Sequence, residues 1–181
     1  EPTVLKYGDL DIGLVPWINR QNEDQMIEFI RTCKASVIGG HFELEGFDLM
    51  KGRKSDHGMN MTPFKKFDLV MSGHYHTKSN QENIHYLGSQ MEFFWSDAHD
   101  PKYFHVIDTE TREIEKVHNP YTLFEKIVYN DEKIDYNNYS VSHLDGKFVK
   151  VVVINKSDSF ELISYELKRT INSDYELKKY Y

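Results

Sequence analysis

Two glycine-histidine turns, each directly behind a short apolar run, constrain this chain more than any other feature. Gly39-Gly40-His41 follows Ser36-Val37-Ile38, and Gly73-His74-Tyr75-His76 follows Asp68-Leu69-Val70-Met71. Apolar runs this short, bounded by turn residues, read as buried strands. Histidines just past the carboxyl ends of sheet strands sit where open α/β folds gather their chemistry. The glycines give the backbone room to turn. Neutral imidazole is a good ligand for zinc, manganese or iron, and a pair spaced i, i+2 across a turn can address adjacent metals. His41, His74 and His76 are therefore candidate metal ligands and candidate catalytic residues, although three imidazoles do not complete a site. The competing reading, exposed polar turns at strand ends, suits an isolated histidine better than this repeated pattern. His85, His99, His105, His118 and His143 lack that context, and His57 lies in a solvated loop where it could face a substrate.

The elements around these turns follow from periodicity. Residues 4–7 and 11–15 read as a hairpin joined at Gly8-Asp9, with Gly8-Asp9-Leu10-Asp11 a turn rather than a metal motif. The clearest helix runs over 22–33: Asn22 is placed to cap it, Gln25 lies three residues on, and Met26, Ile27, Phe29, Ile30 and Cys33 form one apolar face. Residues 42–61 are punctuated by glycine and mixed in charge, and read as a long loop. Thr62-Pro63 suits the start of a short helical turn. From residue 84 the texture changes to strands at 84–87, 93–95, 103–107 and 111–117, with a hairpin turn at Asp108-Thr109-Glu110-Thr111, then another at 123–129. Residues 130–142 are polar and read as a boundary. A strand at 148–154, a helix over 160–171 and a strand from 175 follow. The expected division is 1–130, a linker at 131–144, and a small α/β unit at 145–181.

Composition narrows the function. A net charge of -7 means that the surface as a whole does not attract nucleic acid. Bound metals or a local basic loop can offset that at a site. Lys51, Arg53, Lys54 and Lys65-Lys66 supply such a loop, so Lys51, Arg53, Lys54 and His57 are candidate DNA contacts, with a solubilising surface the alternative. Phe93, Phe94 and Trp95 are expected to pack a core rather than stack on bases. One cysteine, Cys33, permits no internal disulfide and fits a reducing compartment. No apolar run has the length of a membrane span.

At the histidine turns the sequence resembles the calcineurin-like metallophosphoesterases, and among them the SbcD-type nuclease subunits of phage and bacterial recombination endonucleases. Gly40-His41-Phe42-Glu43-Leu44, Lys54-Ser55-Asp56-His57-Gly58 and Ser72-Gly73-His74-Tyr75-His76-Thr77 carry the likeness. Ile12-Gly13-Leu14-Val15-Pro16-Trp17, Tyr86-Leu87-Gly88-Ser89 and Phe104-His105-Val106-Ile107-Asp108 extend it across most of residues 3–135. The resemblance implies an α/β (α+β) fold: the C-terminal half of a two-sheet phosphoesterase sandwich, then part of a small DNA-capping domain. It implies two manganese ions, or magnesium in their place, bridged by an aspartate and a water. His41 and His74 would help hold one ion and His76 the other. It implies a DNA endo- and exonuclease of recombination and break repair, a homodimer joined to an SMC-like ATPase subunit, working in the cytoplasm, of an infected bacterial host if phage-encoded.

Three motifs of that family, Asp-x-His, Gly-Asp-x-x-Asp and Gly-Asn-His-Asp, have no counterpart here and would lie upstream of Glu1. They supply the bridging aspartate, an asparagine ligand and the histidine near the leaving group. The chain alone is therefore expected to be inactive and to bind at most one metal, weakly. Two other functions fit the same residues: a phosphoesterase for small phosphodiesters or nucleotides, and a non-catalytic DNA-binding or assembly module. Half of a sandwich is also expected to expose apolar strand faces and to self-associate.

Overall fold

The computed structural model describes residues 1–50, 52–130, 132–135, 139–155 and 176–178. Lys51 and the helix expected over 160–171 lie outside them. The described residues fall into two compact units, one of residues 1–90 with 101–119, the other of 91–100 with 120–181. Both are built mainly from sheet, with one α-helix among the described residues, so the arrangement is mixed α/β.

In the first unit, β1 (Thr3–Tyr7) and β2 (Leu10–Val15) form the expected antiparallel hairpin, turning at Gly8 with φ +60°. α1 (Glu23–Thr32) follows and buries Met26 and Ile30. Its acidic first turn (Glu23, Asp24) and Arg31 in its last turn complement the helix dipole. Asn22 occupies the N-cap position, but its side chain does not cap. Its Oδ1 accepts from the Asn19 amide at 2.7 Å, and its Nδ2 donates to the Trp17 carbonyl at 2.9 Å. Asn22 thus braces the turn that carries Trp17. At the other end, Lys66 Nζ donates to the carbonyls of Arg31 (2.7 Å) and Cys33 (2.9 Å), closing the helix C-terminus. Lys65 pairs with Glu82. Both lysines of the sequence pair thus have protein partners while remaining exposed.

β3 (Val37–Gly40) is parallel to β2. The stretch 42–61, expected as a loop, instead dives inward. Phe42, Leu44 and Phe47 are 0% exposed, and β4 (Asp48–Met50) pairs with β5 (Arg53–Lys54). Its apolar residues follow no single period, so periodicity alone misses it. Thr62–Phe64 forms a 3-10 turn that buries Phe64. β6 (Leu69–Ser72) comes next, then β7 (Ser79–Gln81), a polar edge strand with no apolar signal, and β8 (Ile84–Tyr86). The sheet order is β1-β2-β3-β6-β8-β7, with β2, β3, β6 and β8 parallel and both edges antiparallel. On one face Ile38, Phe42, Val70, Ile84 and Tyr86 pack with Met26 and Ile30. Truncating Ile30 to alanine would cost about 2–5 kcal/mol, the usual range for a buried isoleucine. The other face carries Leu10, Val37, Leu69 and Met71, covered by Ile107 and Ile114. Those two belong to the hairpin of β9 (Lys102–Ile107) and β10 (Ile114–Asn119), whose turn is tied by Asp108 accepting the Glu110 and Thr111 amides.

In the second unit, β11 (Phe124–Asn130), β12 (Phe148–Asn155) and β13 (Glu176–Lys178) form a parallel three-stranded sheet over Tyr129, Val141, Leu144, Val149 and Val151. Residues 93–95, expected as a buried strand, form an exposed turn: Phe93 is 55% and Phe94 62% exposed. The polar neighbours decide this. Buried Asp97 accepts both of their amides, at 2.8 and 3.0 Å, and buried Glu92 accepts those of Leu123 and Phe124. No helix among the described residues is long and apolar enough to cross a membrane.

Candidate metal centre

Val15, Gly40 and Ser72 lie on one rung of three adjacent parallel strands. The residues that follow them therefore emerge together. Trp17 comes two residues after the rung, His41 one and His74 two. They line a cleft of about 370 Å³ with Glu23, Glu43 and Met59. The rings of His41 and His74 meet edge to face, 5.1 Å between centroids, and Trp17 stacks on His41 at 4.7 Å. Backbone geometry makes this closeness possible. A Cβ on Gly73 would stand 3.0 Å from His41 Nδ1, and His74 holds φ +77°, in the left-handed region that side chains rarely adopt. Such strain is maintained only where the surroundings enforce it.

Three polar side chains enforce it from within the core. The Ser72 hydroxyl accepts from the Phe42 amide at 3.0 Å. The Tyr86 hydroxyl donates to the Phe42 carbonyl and accepts from the Leu44 amide, both at 2.9 Å. Tyr75 donates to the Leu44 carbonyl at 3.1 Å. Burial raises the Tyr86 phenol well above its ordinary range, so it stays protonated as this double role requires. The chain leaving His41 is thereby fixed.

Electrostatics suit ligation. Partial burial, then the neighbouring His74 and His76, lower the His41 pKa and favour the neutral imidazole. Glu43 reaches across the cleft. Its carboxylate lies 3.0 Å from His57 Nε2 and 3.9 Å from His74 Nε2. His57 Nδ1 in turn lies 3.0 Å from Asp56, and that bond, with Glu43, raises the His57 pKa. The structure thus brings together His41 and His74, and places His57 beside them through Glu43, a residue that sequence reasoning did not single out. Trp17, Ser72, Tyr75 and Tyr86 were missed too. Only their positions at the ends of apolar runs could have pointed to them. His76 does not line the cleft. Its carbonyl accepts from Lys102 Nζ and the Ser89 amide, both at 3.1 Å, although its charge is felt at His41. Arg53 and Lys54 are exposed on β5, away from the cleft lining.

Imidazole nitrogens beside a carboxylate are the donor chemistry of a first-row divalent ion, so His41, His74 and Glu43 fit such an ion in kind. In spacing they fall short. Among the described residues no three His, Cys, Asp or Glu side chains are gathered closely enough to hold a metal.

Comparison with known proteins bears on what this cleft serves. No protein-family model matches the chain. It is 33% identical over 174 residues to exonuclease subunit 1 of Enterobacteria phage T4, covering 96% of this chain and 50% of that protein. It is 27% identical over 161 residues to the SbcD subunit of the SbcCD nuclease of Staphylococcus epidermidis, covering 71% of this chain and 41% of that protein. The chain thus spans half or less of the length of these curated relatives.

Proposed function

This chain is a homologue of SbcD-type nuclease subunits, and from that premise we propose that it forms part of a metal-dependent DNA nuclease that acts in recombination and repair. One observation carries the reading: His41 and His74 stand side by side at the C-terminal ends of adjacent parallel strands, in a chain similar to nuclease subunits. The fold is read as the C-terminal part of a calcineurin-like sandwich followed by part of a capping domain. His41, His74 and His76 provide some of the ligands of a two-manganese centre, with magnesium as the alternative ion. The carboxylate and asparagine ligands come from elsewhere in the whole protein. The metals, when bound, acidify the attacking water and offset charge gathering on the phosphate.

The chain's own residues prepare that site. Burial favours the neutral, ligating form of His41. Gly73 leaves space for the imidazole, while Ser72 and Tyr86 hold the segment that carries it. Glu43 holds His57 at the rim and favours its protonated form, which suits a phosphodiester backbone. In this reading the basic residues Lys51, Arg53 and Lys54 are further DNA contacts. The partners are DNA, a second copy of the whole protein and an SMC-like ATPase subunit, in the cytoplasm, that of an infected bacterium if the protein is phage-encoded. The word subunit in both relatives' names supports a complex.

The test is manganese-dependent cleavage of labelled single- and double-stranded DNA, by this chain beside the whole protein that carries it. Cleavage by the whole protein, abolished by His41→Ala or His74→Ala, is expected, with none by the chain alone. Intact cleavage in either variant would overturn the site. Hydrolysis of a small phosphodiester but not of DNA would move the substrate to the small-molecule class.

A further inference from the structure

A second pocket, of about 440 Å³, lies on the sheet face opposite α1, between β6–β8 and the β9–β10 hairpin. It shares no lining residue with the histidine cleft. Its walls are unusually rich in nitrogen. Lys78 and His85 come from the sheet side, and His105, Arg112 and Lys116 from the hairpin, with Glu113 the only acidic lining residue. Arg112 is already committed to Asp68. Lys78 and Lys116 line the same pocket, and among the described residues no ion pair joins either to an acidic side chain. Lys78 also sits 5.6 Å from the Tyr103 ring.

Two ammonium groups lining one pocket repel each other. A dianion between them turns that repulsion into two charge-assisted hydrogen bonds. His85 and His105 complete the wall. Both are kept below the ordinary imidazole range, by burial first and then by Lys116, so each has one N–H to donate and can gain a second when negative charge arrives.

We propose that this pocket is a phosphomonoester-binding site, with Lys78 and Lys116 clasping the phosphate and His85 and His105 as further donors. Its volume suits a mononucleotide or the terminal nucleotide of a strand. The choice of a nucleic-acid phosphate as the natural ligand rests on the nuclease reading, whereas the anion site itself rests on this pocket alone.

The experiment is an NMR titration of this chain, with a chelator present so that the His41–His74 cleft plays no part. The probes are inorganic phosphate, a deoxynucleoside 5′-monophosphate, and one short oligonucleotide with and without a 5′-phosphate. Expected are saturable shifts of the His85 and His105 ring resonances with phosphate, and binding weakened by about tenfold or more in Lys78→Gln or Lys116→Gln. Lys150→Gln, in the other unit, should bind as the parent does. Tighter binding of the mononucleotide identifies a released product as the source, and preference for the phosphorylated oligonucleotide identifies a strand end. No shift, shifts reproduced by chloride, or an unchanged response in both lysine variants would overturn the site. The readout needs no hydrolysis, so failure here and failure of the nuclease reading are separable.

Discussion

The indole of Trp17 lies almost flat on the imidazole of His41, 19° from parallel. That contact makes the metal reading measurable without any cleavage. A paramagnetic ion held by His41 would sit within quenching distance of Trp17. Manganese is therefore expected to quench part of the tryptophan emission, and Trp17→Phe, which leaves only Trp95, is expected to remove that part. If His41→Ala and His74→Ala quench as strongly as the parent, the ion binds elsewhere.

Gly73 is the position where a single methyl should separate site from scaffold. An added Cβ would press on His41 Nδ1 at 3.0 Å, tighter than ordinary contact. Gly73→Ala should fold, at a cost of roughly 1–3 kcal/mol from overpacking. Manganese affinity should fall by about tenfold or more because the ligand is displaced. Calorimetric titration of variant and parent decides it, and equal affinities would show that His41 is not a ligand.

Tyr86→Phe should be costly although it removes one oxygen. The Leu44 amide loses its acceptor in a fully buried setting, a penalty of about 1–3 kcal/mol. Tyr75→Phe removes only a donor to the Leu44 carbonyl and should cost less. Urea denaturation of the pair gives the comparison, and reversal of that order would contradict the bracing role.

Stability should decline in mild acid. The pKa values of His41, His85 and His105 are lowered in the fold, mainly by burial. At a pH near the ordinary imidazole value of about 6.5 the unfolded chain then binds more protons than the folded one. Their contribution is complete above that value and is lost as pH falls through the lower folded values. His57 is shifted the other way, but it is fully solvated and screened. Urea midpoints measured from mildly alkaline to mildly acidic pH should therefore drop, and more shallowly in His85→Gln. A flat profile would refute the burial of these imidazoles.

Val4, Leu5, Tyr7 and Leu14 are exposed on β1 and β2, and Phe104, Val106 and Val117 on one side of the β9–β10 hairpin. Exposed apolar strands of this kind associate. Light scattering coupled to gel filtration should find the chain self-associated, and a compact monomer would count against it.

What the sequence makes legible here follows its periodicity. The 3.6-residue stripe of α1, the apolar runs of β3 and β6, and the alternation of Tyr103, His105 and Ile107 each declare themselves locally. The glycine-histidine turns mark the cleft for the same reason: they are strand ends written in consecutive residues. Tyr86 and Glu43 are different. Their roles arise because segments distant in sequence meet, Tyr86 with Leu44 across 42 residues and Glu43 with His74 from the turn after β6, relationships that no local pattern encodes. Phe93 and Phe94 mislead in the opposite sense. Their hydrophobicity suggests a core, but the Asp97 carboxylate ties their amides into a turn that turns both rings outward.

The chain visits its second unit twice, first with residues 91–100 and again from residue 120. Buried Glu92, on the first visit, binds the amides that open β11 on the second. The C-terminal unit is thus not a detachable cassette. An exchange of that unit between relatives, by recombination in nature or by cloning, must carry the ten residues of the first visit with it, or it orphans a buried carboxylate on one side of the junction and two partly buried amides on the other.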